Sequence, residues 1–367
     1  MASLLAAEGS SLCVVSKTWA KDRGDLFDFE ADPWAESSDI RQQAFLVSSS
    51  ASCLRSGTTV SVVPQGGAAV EDSPELLARF VRQAGVLWID RAPDAATSSM
   101  RPSLVVKDLP GGSHELCGGE VIRLGCARIR VRQVVLAGDD AVKPHLRLEG
   151  EGPPCWANPG PEEVLADKVC RICMTEGPND NDPLISPCGC KGSVEYVHLG
   201  CLREWIRVRC KLPAPGEKAY SSLIPTVKCD ICRGPYAGYV RWSEATCEPL
   251  VEAPPMQPPF MVLEVRSRQG GASSRQMHVL SLAGEKLLKL GRAHTCDLRI
   301  VDASISRWHA TLVHHDGRIM LEDHMSKFGT SVETQFPIPL TPHTSVSVQV
   351  GRTVLQVSQA ARDGAGA

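Results

Sequence analysis

The chain has 367 residues, with 39 Lys plus Arg against 42 Asp plus Glu, a formal net charge of −3. That balance gives no reason to expect nucleic acid or an anionic membrane as a partner. Hydrophobic residues are 43 % and charged residues 22 % of the chain, which excludes wholesale disorder and leaves room for two or three domains. Aromatics are only 5 %, and 31 Gly with 26 Pro point to modest cores and long connections. No apolar run reaches about 18 residues, so no transmembrane helix is expected. Residues 1–8 lack the basic flank of a secretory signal. The expected location is cytoplasmic or nuclear. In such a reducing compartment, the 15 cysteines read better as metal ligands than as disulfides.

Pro/Gly-rich stretches at 150–164 and 241–260 read as linkers and divide the chain into three blocks. In the first block, residues 1–60 are rich in Ser and Ala, lack periodicity and are expected to be weakly ordered. Residues 61–149 read as β-rich, apart from a helix opened by Ser73-Pro74-Glu75 with Ser at N-cap and Pro at N1. Leu76, Leu77, Phe80 and Val81 would share one face of it, and Gly85 would end it. Residues 86–89, 103–106, 121–124 and 127–131 read as strands, the last two joined in a tight hairpin at Gly125. The run Leu124-Gly125-Cys126-Ala127-Arg128-Ile129-Arg130-Val131 has an echo in Val350-Gly351-Arg352-Thr353-Val354-Leu355-Gln356-Val357. Region 61–149 is therefore a candidate for a degenerate copy of the C-terminal module.

The middle block, 165–240, carries the strongest signal. Its ligand types run Cys170, Cys173, Cys188, Cys190, His198, Cys201, Cys229, Cys232, which is enough for two closed tetrahedral zinc sites. A closed shell means structural zinc, with no open position to activate water or polarise a substrate. Because the block is small and loop-rich, metal binding should supply much of its folding free energy. Cys210 is a spare thiol. Cys13, Cys53, Cys117, Cys126, Cys155, Cys247 and Cys296 lack paired spacing and read as small buried residues.

This order, with a Cys-x-Cys in the middle and Trp205 four residues after Cys201, resembles the RING-CH (RING-variant) family of ubiquitin ligases. A PHD finger shares the ligand order, but its usual tryptophan before the seventh ligand is Val227 here. The resemblance implies interleaved ligation. Cys170, Cys173, His198 and Cys201 hold one zinc, and Cys188, Cys190, Cys229 and Cys232 hold the other. It also implies no covalent chemistry. Such a domain binds a ubiquitin-charged conjugating enzyme and holds the thioester ready for attack, a gain in proximity and orientation. By the same resemblance Ile172 and Trp205 form the apolar groove for that enzyme and Pro235 completes its rim. Arg233 would bridge ubiquitin and the enzyme through its planar fork.

The third block, 261–360, reads as short strands at 261–265, 277–282, 287–290, 310–313, 318–321, 345–350 and 353–357, the pattern of a β-sandwich. Gly291-Arg292, Ser306-Arg307-Trp308-His309 and Ser326-Lys327-Phe328-Gly329-Thr330 resemble the FHA (forkhead-associated) family. The resemblance implies phosphothreonine binding by Arg292, Ser306, Arg307 and Lys327, with Gly291, His309 and Gly329 structural. A phosphate dianion needs cations and directed donors on loops at one end of a rigid sandwich. The family's usual Asn before the glycine is Phe328 here, which departs from the position that holds the ligand peptide's backbone.

The expected architecture is thus multidomain. A small α+β RING-CH zinc cross-brace precedes an all-β FHA-like sandwich, with a β-rich N-terminal region. The expected activity is that of a RING-type ubiquitin ligase with two structural zinc ions. Its partners would be a charged conjugating enzyme and a phosphothreonine-containing protein. The alternatives are a non-catalytic phospho-dependent scaffold and a PHD-like chromatin reader.

Overall fold

The computed structural model describes residues 11–21, 26–31, 39–64, 74–84, 86–90, 101–138, 140–144, 153–179, 181–209, 221–225, 228–251, 255–269, 272–284, 287–333, 337–340 and 345–359. They fall into two compact units. Unit 1 comprises 1–130, 267–272 and 286–367; unit 2 comprises 131–266 and 273–285.

The N-terminal part supplies ten strands: β1 (Leu12–Trp19), β2 (Ile40–Val47), β3 (Ala51–Ser56), β4 (Thr59–Pro64), β5 (Glu75–Gln83), β6 (Val86–Asp90), β7 (Ser103–Val105), β8 (Ser113–Glu115), β9 (Val121–Leu124) and β10 (Ala127–Val135). Three of these, β1 to β3, lie within 1–60, the stretch expected to be weakly ordered, and β4 begins there. The alternating burial of β1 and β3 is the signal that composition obscured. The helix expected at 73–85 is instead β5, paired with β3 on one side and β6 on the other. The register shifts between Cys53 and Leu54, so the adjacent Leu77 and Ala78 are both buried. A bulge puts two consecutive side chains toward the core, and that doublet imitates a helical face. Ser73 and Gly85, the expected ends of the helix, lie outside the described residues.

Unit 2 contains β11 (Cys155–Trp156), α1 (Glu162–Leu165), β12 (Leu184–Ile185), β13 (Val197–His198), α2 (Leu199–Arg209), β14 (Ser221–Pro225), β15 (Tyr239–Arg241) and β16 (Cys247–Pro249). It also holds most of β17 (Phe260–Gln269) and β18 (Ala272–Ser281). The longest helix among the described residues, α2, buries Leu199, Leu202 and Ile206 at helical spacing. Asp182 accepts the Gly200 amide at 2.6 Å near its start, and Arg207 and Arg209 complement the dipole at its end. These side chains pack with Leu184, Ile185, Val197, Tyr236 and Val240, and with Cys170, Cys190 and Cys229.

Both expected linkers are partly folded. Within 150–164, β11 pairs with β15 and α1 begins at Glu162. Within 241–260, β16 pairs with β15, Leu250 enters the core, and Arg203 binds the carbonyls of Pro249 and Leu250. Proline content suggested a free tether, but strand pairing and an apolar anchor tie this segment to the zinc-ligand core.

The chain returns to unit 1 with β19 (Leu287–Gly291), β20 (Leu298–Arg299), β21 (Ala310–His315), β22 (Arg318–Asp323), β23 (Thr330–Glu333), β24 (Ile338–Leu340), β25 (Val346–Val350) and β26 (Thr353–Gln359). The N-terminal and C-terminal parts exchange strands here. One five-stranded sheet runs β20-β19-β21-β22-β8 and another runs β24-β6-β5-β3-β4. Each is closed by a strand from the other part. The same reciprocity recurs in the large sheet, where β26 pairs with β1, and β23 pairs with both β9 and β7. The echoing sequences form matching hairpins, β9–β10 and β25–β26, with Gly125 and Gly351 at φ of 55° and 58°. Buried Arg55 joins Glu75 to Thr353 across the two parts.

Candidate metal centre and phosphate pocket

In unit 2 the eight ligand residues gather into two quartets, and in each quartet the ligand atoms lie within 4.8 Å of one another. Cys170, Cys173, His198 and Cys201 form one; Cys188, Cys190, Cys229 and Cys232 form the other. This is the interleaving that the family resemblance implied. Two sharp turns shape the sites. Met174 and Arg233 each follow a Cys-x-x-Cys pair in the left-handed region, at φ of 61° and 59°. Met174 N–H donates to the Cys170 carbonyl and Arg233 N–H to the Cys229 carbonyl, both at 2.9 Å.

The donor chemistry fits zinc. His198 Nε2 lies 2.8 Å from the Gly177 carbonyl, so that nitrogen carries the proton. Nδ1 is then free as the ligand and sits 3.3 Å from Cys173 Sγ. The amides of Ile172 and His198 point at Cys170 Sγ. The Cys173 thiol is held down to about 6, first by hydrogen bonding to Thr175, while burial pushes the Cys201 thiol up to about 12. Burial likewise raises Cys190 to about 12. At Cys229 burial works in the same direction, but hydrogen bonds from the Cys232 and Ile231 amides and from the Cys188 and Cys190 thiols together outweigh it and bring the thiol down to about 6. Crowded thiols of this kind cannot all ionise beside one another, and a dication removes that conflict. The two quartets accommodate two zinc ions. Cys210 and Val227 lie outside the described residues.

Around the quartets, Ile172 is 41 % exposed. Trp205 is half-buried, edge-on to Tyr236 at 6.2 Å and under the Arg209 guanidinium at 5.1 Å. Arg233 and Pro235 are exposed.

In unit 1 the loops between strands build a pocket of about 460 Å³. Arg292, Ser306, Arg307 and Lys327, the four residues expected there, all line it. Their loops are tied by backbone. Arg292 and Ala293 donate to the carbonyls of Ser306 and Arg307 at 3.1 Å each. Gly291 is required at this approach, because a Cβ there would fall 2.3 Å from the Arg307 carbonyl oxygen. His309 is fully buried. Its Nδ1 accepts the Ser306 amide at 3.0 Å and its Nε2 lies 3.1 Å from the Gly329 carbonyl. Burial lowers its pKa, consistent with a neutral ring that joins two loops. Ser306 Oγ accepts the Lys327 amide at 3.2 Å, which leaves the hydroxyl proton available to a ligand.

Two features had no counterpart in the sequence reading. The Cys126 amide donates to Ser304 Oγ at 2.8 Å, so the β9–β10 turn braces the loop that precedes Ser306. Glu30, from the N-terminal segment 26–30, also lines the pocket. Phe27 and Trp19 are buried in a cluster that also takes in Phe29 and Phe328. Phe328, in the family's Asn position, thus packs toward the N-terminal segment while still lining the pocket. The Lys327 ammonium sits 3.2 Å from Asp28. The only prior sign was Phe27-Asp28-Phe29 itself, two aromatics in alternation in a chain poor in them.

Gly329 is doubly constrained, with φ of 73° and a virtual Cβ 2.4 Å from the Phe29 ring. Gly329→Ala should cost about 2 kcal/mol from the left-handed backbone and the displaced ring together. The expected result is a lower unfolding midpoint in denaturant at an unchanged slope.

Comparison with known proteins finds one family domain over each of these regions. A RING-variant domain spans residues 170–232 and an FHA domain spans 288–354. The chain is 43 % identical over 75 residues to the ERAD-associated E3 ubiquitin-protein ligase DOA10 of Saccharomyces cerevisiae, covering 20 % of this chain and 5 % of that protein. It is 54 % identical over 39 residues to the human E3 ubiquitin-protein ligase MARCHF8, covering 11 % of this chain and 13 % of that one. It is 38 % identical over 66 residues to the probable E3 ubiquitin-protein ligase MARCHF10 of Rattus norvegicus, covering 18 % and 7 %. The chain therefore spans only a small fraction of the curated relatives it matches. No solved structure shows a significant match. Among the described residues, no helix is long and apolar enough to cross a membrane.

Proposed function

We propose that this protein is a RING-type ubiquitin ligase whose FHA domain recruits phosphothreonine-containing partners. The observation that carries the first half is the pair of interleaved quartets within a RING-variant domain. Exposed Ile172 and half-buried Trp205 flank the first quartet, on its knuckle and on α2. They offer the apolar anchor for a conjugating enzyme. Arg233, exposed on the second knuckle, bridges that enzyme and its ubiquitin. With both quartets closed, the zinc ions shape the surface and take no part in bond making. Catalysis is the ordering of a thioester for attack by a substrate amine.

Pocket geometry supports the second half of the reading. Arg292 and Arg307 supply charge, and Ser306 supplies a hydroxyl freed by its acceptor role toward the Lys327 amide. The pairing of Lys327 with Asp28 makes the two arginines the principal phosphate partners.

The scaffold reading draws on one observation. Trp205 packs on Tyr236 and Arg209, as a merely structural residue would. Ile172→Ala separates the two readings, because Ile172 is exposed and its loss should leave zinc content and folding intact. Discharge of ubiquitin from a charged conjugating enzyme should then fall at least about tenfold, the loss of one interface anchor. Unchanged discharge by Ile172→Ala and Arg233→Gly would leave the scaffold.

A further inference from the structure

The phosphate pocket is not uniformly cationic. Of its lining residues Arg292, Arg307 and Lys327 are positive and Glu30 is the one acid. Glu30 reaches the pocket from the N-terminal segment, outside residues 288–354, where the FHA domain is matched. The segment is anchored rather than draped. Phe27 is buried, the Phe29 amide donates to the Lys327 carbonyl at 2.8 Å, and the Glu30 amide donates to Asp28 Oδ1 at 3.0 Å.

The two acids of this segment have different roles. Asp28 is buried, with its side chain only 10 % exposed, and holds Lys327 at 3.2 Å. Glu30 is 61 % exposed and stands 3.9 Å from the same ammonium. Lys327 is thus already neutralised by the nearer, buried carboxylate. Glu30 presents a second negative charge to a pocket that Arg292 and Arg307 also line. An extended peptide places successive residues about 3.3 Å apart, so its phosphate and a neighbouring side chain would meet opposite charges within one pocket.

We propose that Glu30 is a specificity-determining residue that selects phosphothreonine peptides carrying a Lys or Arg within three residues of the phosphothreonine. The proposal rests on the phosphothreonine reading above. Acidic flanks are disfavoured by direct repulsion, so the discrimination combines an attractive and a repulsive element.

The test is fluorescence anisotropy with the full chain and labelled phosphothreonine peptides in an alanine background, carrying Lys, Ala or Glu at each flanking position. One partly exposed ion pair supports about a fivefold preference for Lys over Ala, with Glu weaker still. Glu30→Gln should abolish the preference, and Glu30→Lys should invert it in favour of acidic flanks. Raised salt should shrink the preference. Phosphate-dependent binding that ignores the flank in wild type overturns the proposal and leaves the phosphothreonine reading standing. So does a Glu30→Gln variant that binds all phosphopeptides equally more tightly, since Glu30 would then be an internal competitor. Binding that is indifferent to phosphate or to Arg292→Ala removes both readings together.

Discussion

A fragment starting at residue 258 will not fold its C-terminal sandwich, although it contains every FHA signature residue. In that fragment β22 loses β8, β26 loses β1, and β23 loses both of its neighbours, β7 and β9. Unpaired edges of this kind favour aggregation. The core is equally divided. Leu340, Val346, Val348, Val350, Leu355 and Val357 bury themselves against Leu12, Val14, Phe80, Ile89 and other residues of the first 130. Exposing six such side chains, at about 1.5–3 kcal/mol each, costs on the order of 10 kcal/mol. That is comparable to the ~5–15 kcal/mol that holds a whole domain together. Residues 258–367 alone should show no cooperative thermal transition and no phosphopeptide binding. Co-expression with residues 1–140 should restore both, because the exchange supplies each missing strand. A monomeric 258–367 fragment with a sharp two-state transition would contradict the exchange.

The eight zinc ligands were legible in full, because ligand spacing is itself the chemistry and survives any rearrangement of the surrounding strands. The sequence also named four loop residues that line one pocket, Arg292, Ser306, Arg307 and Lys327, and the strand character of most of 86–131 and 261–357 was legible. Partnership between strands was not legible. The alternation read in 121–124 and 127–131 marks those segments as strands, but it carries no information about which edge they join, and β8 is not among the strands expected from the sequence. The echo between 124–131 and 350–357 was the one trace of it. Each hairpin is built alike because each fills the same place beside the other part's strands. The misread helix at 73–85 has a local cause, since a bulge at Leu77 breaks alternation where a helical pattern then fits. Phe328 was legible as a departure from the family but not as a contact. Its aromatic neighbours Trp19, Phe27 and Phe29 lie some 300 residues away in sequence.

The arrangement of the two five-stranded sheets bears on the degenerate-copy expectation. The orders β4-β3-β5-β6-β24 and β20-β19-β21-β22-β8 correspond strand for strand, except that β4 is antiparallel to its neighbour and β20 is parallel. Where the C-terminal part has Gly291-Arg292 at the end of β19, the N-terminal part ends β3 with buried Arg55, bound to Glu75 and Thr353. We propose that the N-terminal part is an FHA-like module whose arginine at this place, Arg55, is taken up by Glu75 and Thr353. It retains strands to lend and an acidic segment to set beside its partner's pocket.

Loss of either zinc should unfold the whole core of unit 2, not half of it. The quartets interleave along the chain. The span from Cys173 to His198 encloses Cys188 and Cys190, and the span from Cys190 to Cys229 encloses His198 and Cys201. Cys170 of one quartet and Cys190 and Cys229 of the other lie in one apolar cluster with Leu202, Ile206 and Val240. No separate core therefore remains for a surviving site. Structural zinc in small domains contributes about 10–16 kcal/mol of apparent folding free energy, more than this cluster can replace. The full chain should contain two zinc ions per molecule by elemental analysis. Cys173→Ala and Cys232→Ala strike different quartets, yet both should lower zinc content below one ion per chain and abolish ubiquitin discharge. Amide exchange across α2 should become fast in both. A variant that keeps one firmly bound zinc and a protected α2 would mean that the quartets fold independently, and the cross-brace would not be the element that holds the ligase surface in place.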